Sequence, residues 1–310
     1  MSYIIDRTNV LKQSGFEKTS LLIKENRIEF IQPSMERFKF MKMDMSSYLL
    51  SPGFVMIDFS LNSSFNFSTF KGYMIEKLMS KGCTTVITVV PVDDEKELSS
   101  KLKKRRQLMI NSSIDYYLGV RIPLKALTPS LIRACKRQKI SLIFVEYDNE
   151  LELSTLAWGW IRDAMFSTPV TLAPIWSGRD ASLYRKGKQN VIWKKIMNSN
   201  KISAILDTLK EHQPIQKEKL MKIGIYPEKG EIRIGGQVDY NVYDYQQICS
   251  KVEQKPFVDY DNHIPMITVH KGELIKVQST FHFKPGFGHE CLVPISGRFI
   301  SEPDSHSKAF

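Results

Sequence analysis

Histidine is missing from residues 1–211; all six imidazoles of the chain lie at or beyond His212. That long stretch can offer no imidazole as a general base or a metal ligand. Cysteine is sparse and scattered, with Cys83, Cys135, Cys249 and Cys291 dozens of residues apart. This spacing excludes a C-x-x-C dithiol or zinc knuckle, and free, mostly buried thiols are expected instead. Long apolar runs are absent too: stretches such as Val86 to Pro91 and Thr171 to Trp176 fall far short of the ~20 residues of a membrane span. The opening residues, Met1 to Asn9, carry Asp6 and Arg7 and lack a basic start followed by an apolar stretch, so a cytoplasmic protein without a membrane span is expected. No internal repeat or low-complexity tract breaks the pattern.

What is present describes a globular chain. Its 310 residues, 42% hydrophobic and 25% charged, can bury a sizeable core in one or two domains. The net charge of +11 raises the question of anionic partners. Cations cluster at Lys101 to Arg106, at Arg133 to Lys139 and at Arg179 to Lys195. The first cluster follows Glu95 and Glu97 in a helical pattern and reads as a solvated face suited to the helix dipole. In the last, Tyr184 and Trp193 interleave with cations as stacking residues do. A nucleic-acid partner is nevertheless not expected from these patterns.

Periodicity divides the chain into three. Thr19 to Ile31 reads as a hairpin, Lys42 to Leu50 as an extended run, and Phe54 to Phe59 as a strand buried on both faces. Helix and strand then alternate, as in parallel β/α units. Helices are predicted over Tyr73 to Lys81, Glu95 to Met109, Pro129 to Gln138 and Leu153 to Phe166. Strands are predicted over Thr84 to Pro91, Asp115 to Ile122, Ile140 to Tyr147 and Pro169 to Trp176. Thr128 followed by Pro129 is a strong N-terminal helix signal. Residues 178–222 look helical, with apolar spacing in Val191 to Met197 and Ile202 to Leu209. Glu231 to Ile234, Val238 to Tyr243, Met266 to Lys276 and Ser279 to Phe283 read as strands. Trp158 and Trp160, two apart on a helix, cannot share a face, so one is expected exposed or at an interface.

Four stretches together resemble the cyclic amidohydrolases, the group of dihydroorotase, dihydropyrimidinase and allantoinase. They are the hairpin with Arg27 and Ile28; Asp44 with Pro52, Gly53 and Phe54; Pro227, Lys229, Gly230, Ile232, Gly235, Asp239 and Asp244; and Lys271, Gly272, Lys284, Pro285, Gly286 and Gly288. The resemblance implies an α/β fold, a TIM-like β/α barrel with a small β-sandwich built from both ends of the chain. The expected parts are residues 1–51 and 223–310 for the sandwich and residues 52–222 for the barrel. A complete barrel needs about 250 residues, so this one is expected to be shortened, either rearranged into a smaller sheet or completed by a partner.

The resemblance also implies a metal that generates hydroxide and polarises a carbonyl. The family's His-x-His pair falls here on Asp58 and Ser60, and its carboxylated lysine on Ile143 or Phe144. Asp58 and Ser60 are thus the only catalytic candidates, and neither a cofactor nor a metal is expected. His263, His270, His282 and His289 lack ligand spacing and read as surface or turn residues. Gly235, Gly236, Gly286 and Gly288 precede no helix and read as turn glycines rather than a phosphate loop. The expectation is a degenerate amidohydrolase-like protein, a pseudoenzyme acting as a structural or regulatory subunit in a homo-oligomer or with an intact relative. The alternative is an atypical hydrolase of cyclic amide C–N bonds using Asp58 or ligands shared across an oligomer.

Overall fold

The computed structural model describes residues 2–12, 15–148, 150–166, 170–177, 183–249 and 263–294, apart from the side chains of 12, 150, 151, 183–190, 247 and 249. The chain opens with β1 (Ser2–Lys12), β2 (Gly15–Lys24), β3 (Arg27–Gln32), β4 (Met41–Asp44) and β5 (Tyr48–Pro52). Then come β6 (Phe54–Asp58), α1 (Phe67–Tyr73), β7 (Cys83–Pro91), α2 (Glu95–Met109), β8 (Asp115–Pro123), α3 (Pro129–Arg137) and β9 (Leu142–Tyr147). Helices α4 (Glu150–Thr155) and α5 (Trp158–Met165), strand β10 (Thr171–Trp176), and helices α6 (Leu183–Ser199) and α7 (Lys217–Ile223) follow. The last elements are β11 (Tyr240–Asp244), α8 (Tyr245–Cys249), β12 (Ile267–His270), β13 (Glu273–Val277) and β14 (Thr280–Phe281).

Strands β6 to β10 form a parallel five-stranded sheet in the order β10-β9-β8-β7-β6. Its outer face packs on the helices: Met56, Val86, Val120 and Val145 meet Leu102 of α2, Leu131 of α3, Ile161 of α5 and Trp193 of α6 in one core cluster. The inner face presents Val55, Ile57, Ile87, Val89, Leu142, Phe144 and Ala173 to a second cluster. Both faces are buried, as near-continuous apolar strands require.

Five strands cannot close a barrel of the eight-stranded kind, and the chain takes up both open edges itself. Ile205 and Ser203 bond to Leu172 of β10 (Ile205 N to Leu172 O 2.7 Å, Leu172 N to Ser203 O 3.0 Å). Ten residues later the same segment turns antiparallel to β6, with the amides of His212 and Ile215 donating to the carbonyls of Ile57 (3.0 Å) and Val55 (2.9 Å). Ile205, Leu209 and Ile215 of this strap, with Leu220 and Ile223 of α7 and Ile225, fill the interior. The expected helix over Ile202 to Leu209 is therefore absent. Its apolar spacing serves irregular backbone whose side chains plug the curled sheet.

The expected β-sandwich is one nine-stranded sheet in the order β14-β13-β12-β11-β5-β1-β2-β3, with β4 also on β1. Both ends of the chain contribute, joined where β5 pairs antiparallel with β11 from Tyr48↔Asp244 to Pro52↔Tyr240. The N-terminal strand β1 was not anticipated, and Glu231 to Ile234 forms no strand. Elsewhere the divisions are finer than expected. Leu153 to Phe166 is two helices, and Lys42 to Leu50 is two strands around a turn. The Tyr73 to Lys81 region is the end of α1, a π-helical turn (Met74–Leu78) and a 3-10 turn (Met79–Lys81). Gly82 ends it at φ 83°, and a β carbon there would stand 2.6 Å from the Asn241 side chain.

Trp158 is 6% exposed and Trp160 71%, the divided pair expected of that spacing. Trp193, read as an outward stacking residue, is instead fully buried, stacked on Tyr147 at 5.9 Å. Arg179 and the Tyr184 side chain lie outside the described residues. Cys83 and Cys135 are buried free thiols and Cys291 is partly buried; the side chain of Cys249 is outside the described residues.

Candidate functional site

Asp58 is the last residue of β6, at the carboxyl end of the parallel sheet, where β/α barrels carry their chemistry. By the strand's period of two it shares the face of Phe54 and Met56, which packs on helices, rather than that of Val55 and Ile57. Its side chain is fully buried. Three donors satisfy it: the Leu61 amide (2.6 Å), the Tyr73 hydroxyl (2.6 Å) and His212 Nε2 (2.7 Å). Burial pushes the Asp58 pKa up, but the bonds from His212, Tyr73 and Leu61 outweigh it and hold the carboxyl below the usual range. Tyr73 moves the opposite way, raised well above an ordinary phenol by burial and by its bond to Asp58.

Local structure places each partner. Tyr73 ends α1 where the helix widens into the π-helical turn, a feature frequent at functional sites. His212 sits on the strap along β6 at φ 54°, a left-handed conformation that costs a residue with a β carbon ~1–2 kcal/mol. Glu211 beside it accepts from the Phe59 amide at 2.7 Å, and its carboxylate is 3.6 Å from His212 Nε2. Behind the cluster the buried guanidinium of Arg105 bonds the Thr88 hydroxyl, Ser63 Oγ (3.1 Å) and the Leu61 carbonyl (2.5 Å). Its positive charge acts on Asp58 without touching it. Ser60, the other expected candidate, is exposed on the following loop.

Ligand atoms of Asp58, Glu211 and His212 all lie within 4.8 Å of one another, so the trio invites a metal reading. The spacing does not fit one. Two ligands on a tetrahedral zinc with bonds of ~2.0–2.1 Å stand about 3.3 Å apart, whereas Asp58 Oδ2 and His212 Nε2 are 2.7 Å apart. The Asp58 carboxylate also accepts from the Tyr73 hydroxyl and the Leu61 amide, and Glu211 accepts from the Phe59 amide. The set is a hydrogen-bonded cluster in which Glu211, its side chain 29% exposed, and His212, 15% exposed, are partly open. Ile143 and Phe144 are both buried and apolar on β9.

A second cluster lies at the opposite, amino end of the sheet. Lys229 Nζ reaches Asp115 at 2.6 Å and Asp239 at 3.0 Å, with its side chain 3% exposed. His270, read from sequence as a surface or turn residue, is fully buried with Nδ1 3.0 Å from Asp239 and Nε2 3.6 Å from Asp115. Lys271 also pairs with Asp115, and the His289 amide donates to it at 2.9 Å. Burial raises the pKa values of Asp115 and Asp239, but His270 and Lys229 more than reverse this and hold both carboxyls below the normal range. Lys229, Asp239 and Lys271 are among the residues that carried the family resemblance. Here they tie β8 of the curled sheet to the strands of the large sheet, a structural task. Gly288 belongs to the same seam: a β carbon on it would stand 1.9 Å from the Ile114 carbonyl, so it is a close-approach glycine rather than a plain turn residue.

Sequence reasoning reached Asp58 but missed Tyr73, Glu211 and His212 as its partners. One signal was available: His212 is the single histidine within residues 52–222.

No protein-family profile and no curated sequence matches the chain. Solved structures do. Dihydropyrimidinase from Brevibacillus agri NCHU1002 aligns over 98% of this chain and 100% of its own, with TM-score 0.59 and 13% identity. A D-hydantoinase aligns over 94% and 98%, with TM-score 0.56 and 13% identity. L-hydantoinase (dihydropyrimidinase) from Arthrobacter aurescens aligns over 92% and 98%, with TM-score 0.53 and 12% identity. At these identities the likeness is one of fold: a partial TIM-like barrel and a separate sheet, arranged as in hydantoinases.

Proposed function

We propose that this protein is a non-hydrolytic, shortened relative of the cyclic amidohydrolases, serving as a structural or regulatory subunit that associates with itself or with an intact relative. The observation that carries this reading is the state of Asp58. By the family resemblance it stands where the His-x-His pair would begin, yet it is sealed from solvent, turned to the helix face and held by three hydrogen bonds. The filled interior supports the same reading, since Leu209, Ile215, Leu220 and Ile223 occupy the space inside the curled sheet. A cyclic amide needs a concave, largely preformed pocket.

Two measurements test it together. Protein dialysed against zinc or manganese should retain less than one equivalent of metal and should not hydrolyse dihydrouracil, 5-substituted hydantoins, dihydroorotate or allantoin above the buffer rate. Sedimentation should give a mass above the monomer, or the protein should capture an intact relative. A monomer that captures none would remove the subunit role.

A second reading, an atypical hydrolase, is favoured by the geometry of His212. Its partial exposure and its bond to a buried carboxylate are what a general base requires. Turnover that disappears in His212→Ala and Asp58→Asn would establish this reading and end the first.

A further inference from the structure

Between Glu97 and Glu146 the sequence contains a single acidic residue, Asp115, and that one is buried against Lys229. The same interval holds Lys101, Lys103, Lys104, Arg105, Arg106, Arg121, Lys125, Arg133, Lys136, Arg137 and Lys139. Tertiary structure sorts them. Arg105 turns into the core, Arg106 pairs with Glu290 at 2.9 Å, Lys101 with Glu97 at 2.8 Å, and Arg121 with Glu146 at 3.5 Å. Helices α2 and α3 lie side by side and run the same way: Ser130 bonds Glu95 near their starts (2.9 Å), and Arg106 bonds Gln138 near their ends. Their outward surfaces thereby merge into one face bearing Lys103, Lys104, Arg133, Lys136, Arg137 and Lys139, all exposed. Among the described residues no ion pair is made by Lys103, Lys104, Arg133, Arg137 or Lys139.

We infer that this α2–α3 face binds the phosphate backbone of double-stranded nucleic acid without regard to base sequence. The neighbours of the cations on the face decide the class of polyanion. Ser99 and Gln107 are exposed there and supply a hydroxyl and an amide of the kind that contact phosphate and sugar oxygens. Apolar side chains that would insert below lipid headgroups are confined to Ile110, just beyond the end of α2. No aromatic residue lies in α2 or α3, so the stacking platform of a single-strand binder is missing. Trp193, the aromatic that suggested one, is in the core.

Anisotropy titration of the full protein against a labelled duplex of about 20 base pairs tests this. Six phosphate contacts give a log–log salt slope of about −5, so affinity should fall about a thousandfold between roughly 50 and 200 mM salt. The quadruple variant Lys103→Glu, Lys104→Glu, Arg133→Glu, Arg137→Glu should lose binding while keeping the parent Tm. The charge-retaining set Lys103→Arg, Lys104→Arg, Arg133→Lys, Arg137→Lys should keep it. A control with the same loss of charge at exposed Lys18, Lys39, Lys71 and Lys195 should also keep most of the affinity. Absence of duplex binding at the lower salt overturns the inference. So does equal weakening in the control, or binding to phosphatidylserine vesicles with none to the duplex.

Discussion

At the residue scale, a buried carboxylate is stable only if its lone pairs are met. Asp58 meets them with one backbone amide and two side chains from distant elements. Tyr73→Phe removes a hydrogen bond to a charged acceptor and is expected to cost about 1.5–3 kcal/mol, read as a lower denaturant midpoint. If the proposed function holds, the same variant leaves any residual hydrolysis unchanged. The amino-end cluster is the more demanding test of folding. Lys229→Met would leave Asp115 and Asp239 short of their central cation, and breaking a buried pair in this way costs about 3–5 kcal/mol. Urea unfolding measures it, and a change below about 1 kcal/mol would mean that Lys271 and His270 alone neutralise the pair.

At the element scale, the strap at residues 203–215 runs from one edge of the curled five-stranded sheet to the other. It meets both edges of the five-stranded sheet through backbone bonds and fills the interior with side chains. Unpaired edges are sites of unwanted association, so the strap removes a liability that five strands would otherwise carry. Ile223, fully buried on α7 within this plug, is expected to cost about 2–5 kcal/mol on truncation to alanine. If the interior collapsed freely around the gap, the loss measured by thermal unfolding would fall well below that range. Elements with strong local signals were legible in sequence: α2 runs from Glu95 to Met109 as its pattern indicates, and α3 starts at the Thr128 cap. The strap was not, because spacing at three and four also arises when irregular backbone turns every third or fourth side chain inward, as it does Ile205 and Leu209.

At the scale of the whole molecule, the two sheets are held together by an ionic seam with a pH window. Asp115 and Asp239 in the seam, and Asp58 at the opposite end of the curled sheet, have folded pKa values below their unfolded ones. Their contribution is present above about pH 4 and is lost as pH falls through the folded values. His270 is displaced the other way: burial lowers its pKa, but Asp115 and Asp239 raise it above the ordinary imidazole value. Its contribution is complete below about pH 6.5 and is lost as pH rises through the folded value. A scan of Tm against pH should therefore show a plateau with an acid fall and a shallower alkaline decline; His270→Gln should flatten the alkaline side and also weaken the acid fall, because His270 helps hold Asp115 and Asp239 low. An unchanged alkaline limb in that variant would place the titrating group elsewhere.

The sequence by itself determined the alternation of strands and helices and the position of Asp58 at a strand end, which rest on local preferences and on spacing along one segment. Four stretches of sequence together also pointed to the fold shared with dihydropyrimidinases. Tertiary structure alone decided that Asp58 faces helices, that His212 comes back 154 positions later to bond it, and that His270 lies in the core. It also decided which cations of α2 point outward. Each of these depends on how one segment's side chains meet another's across the fold, which periodicity within a single segment does not encode.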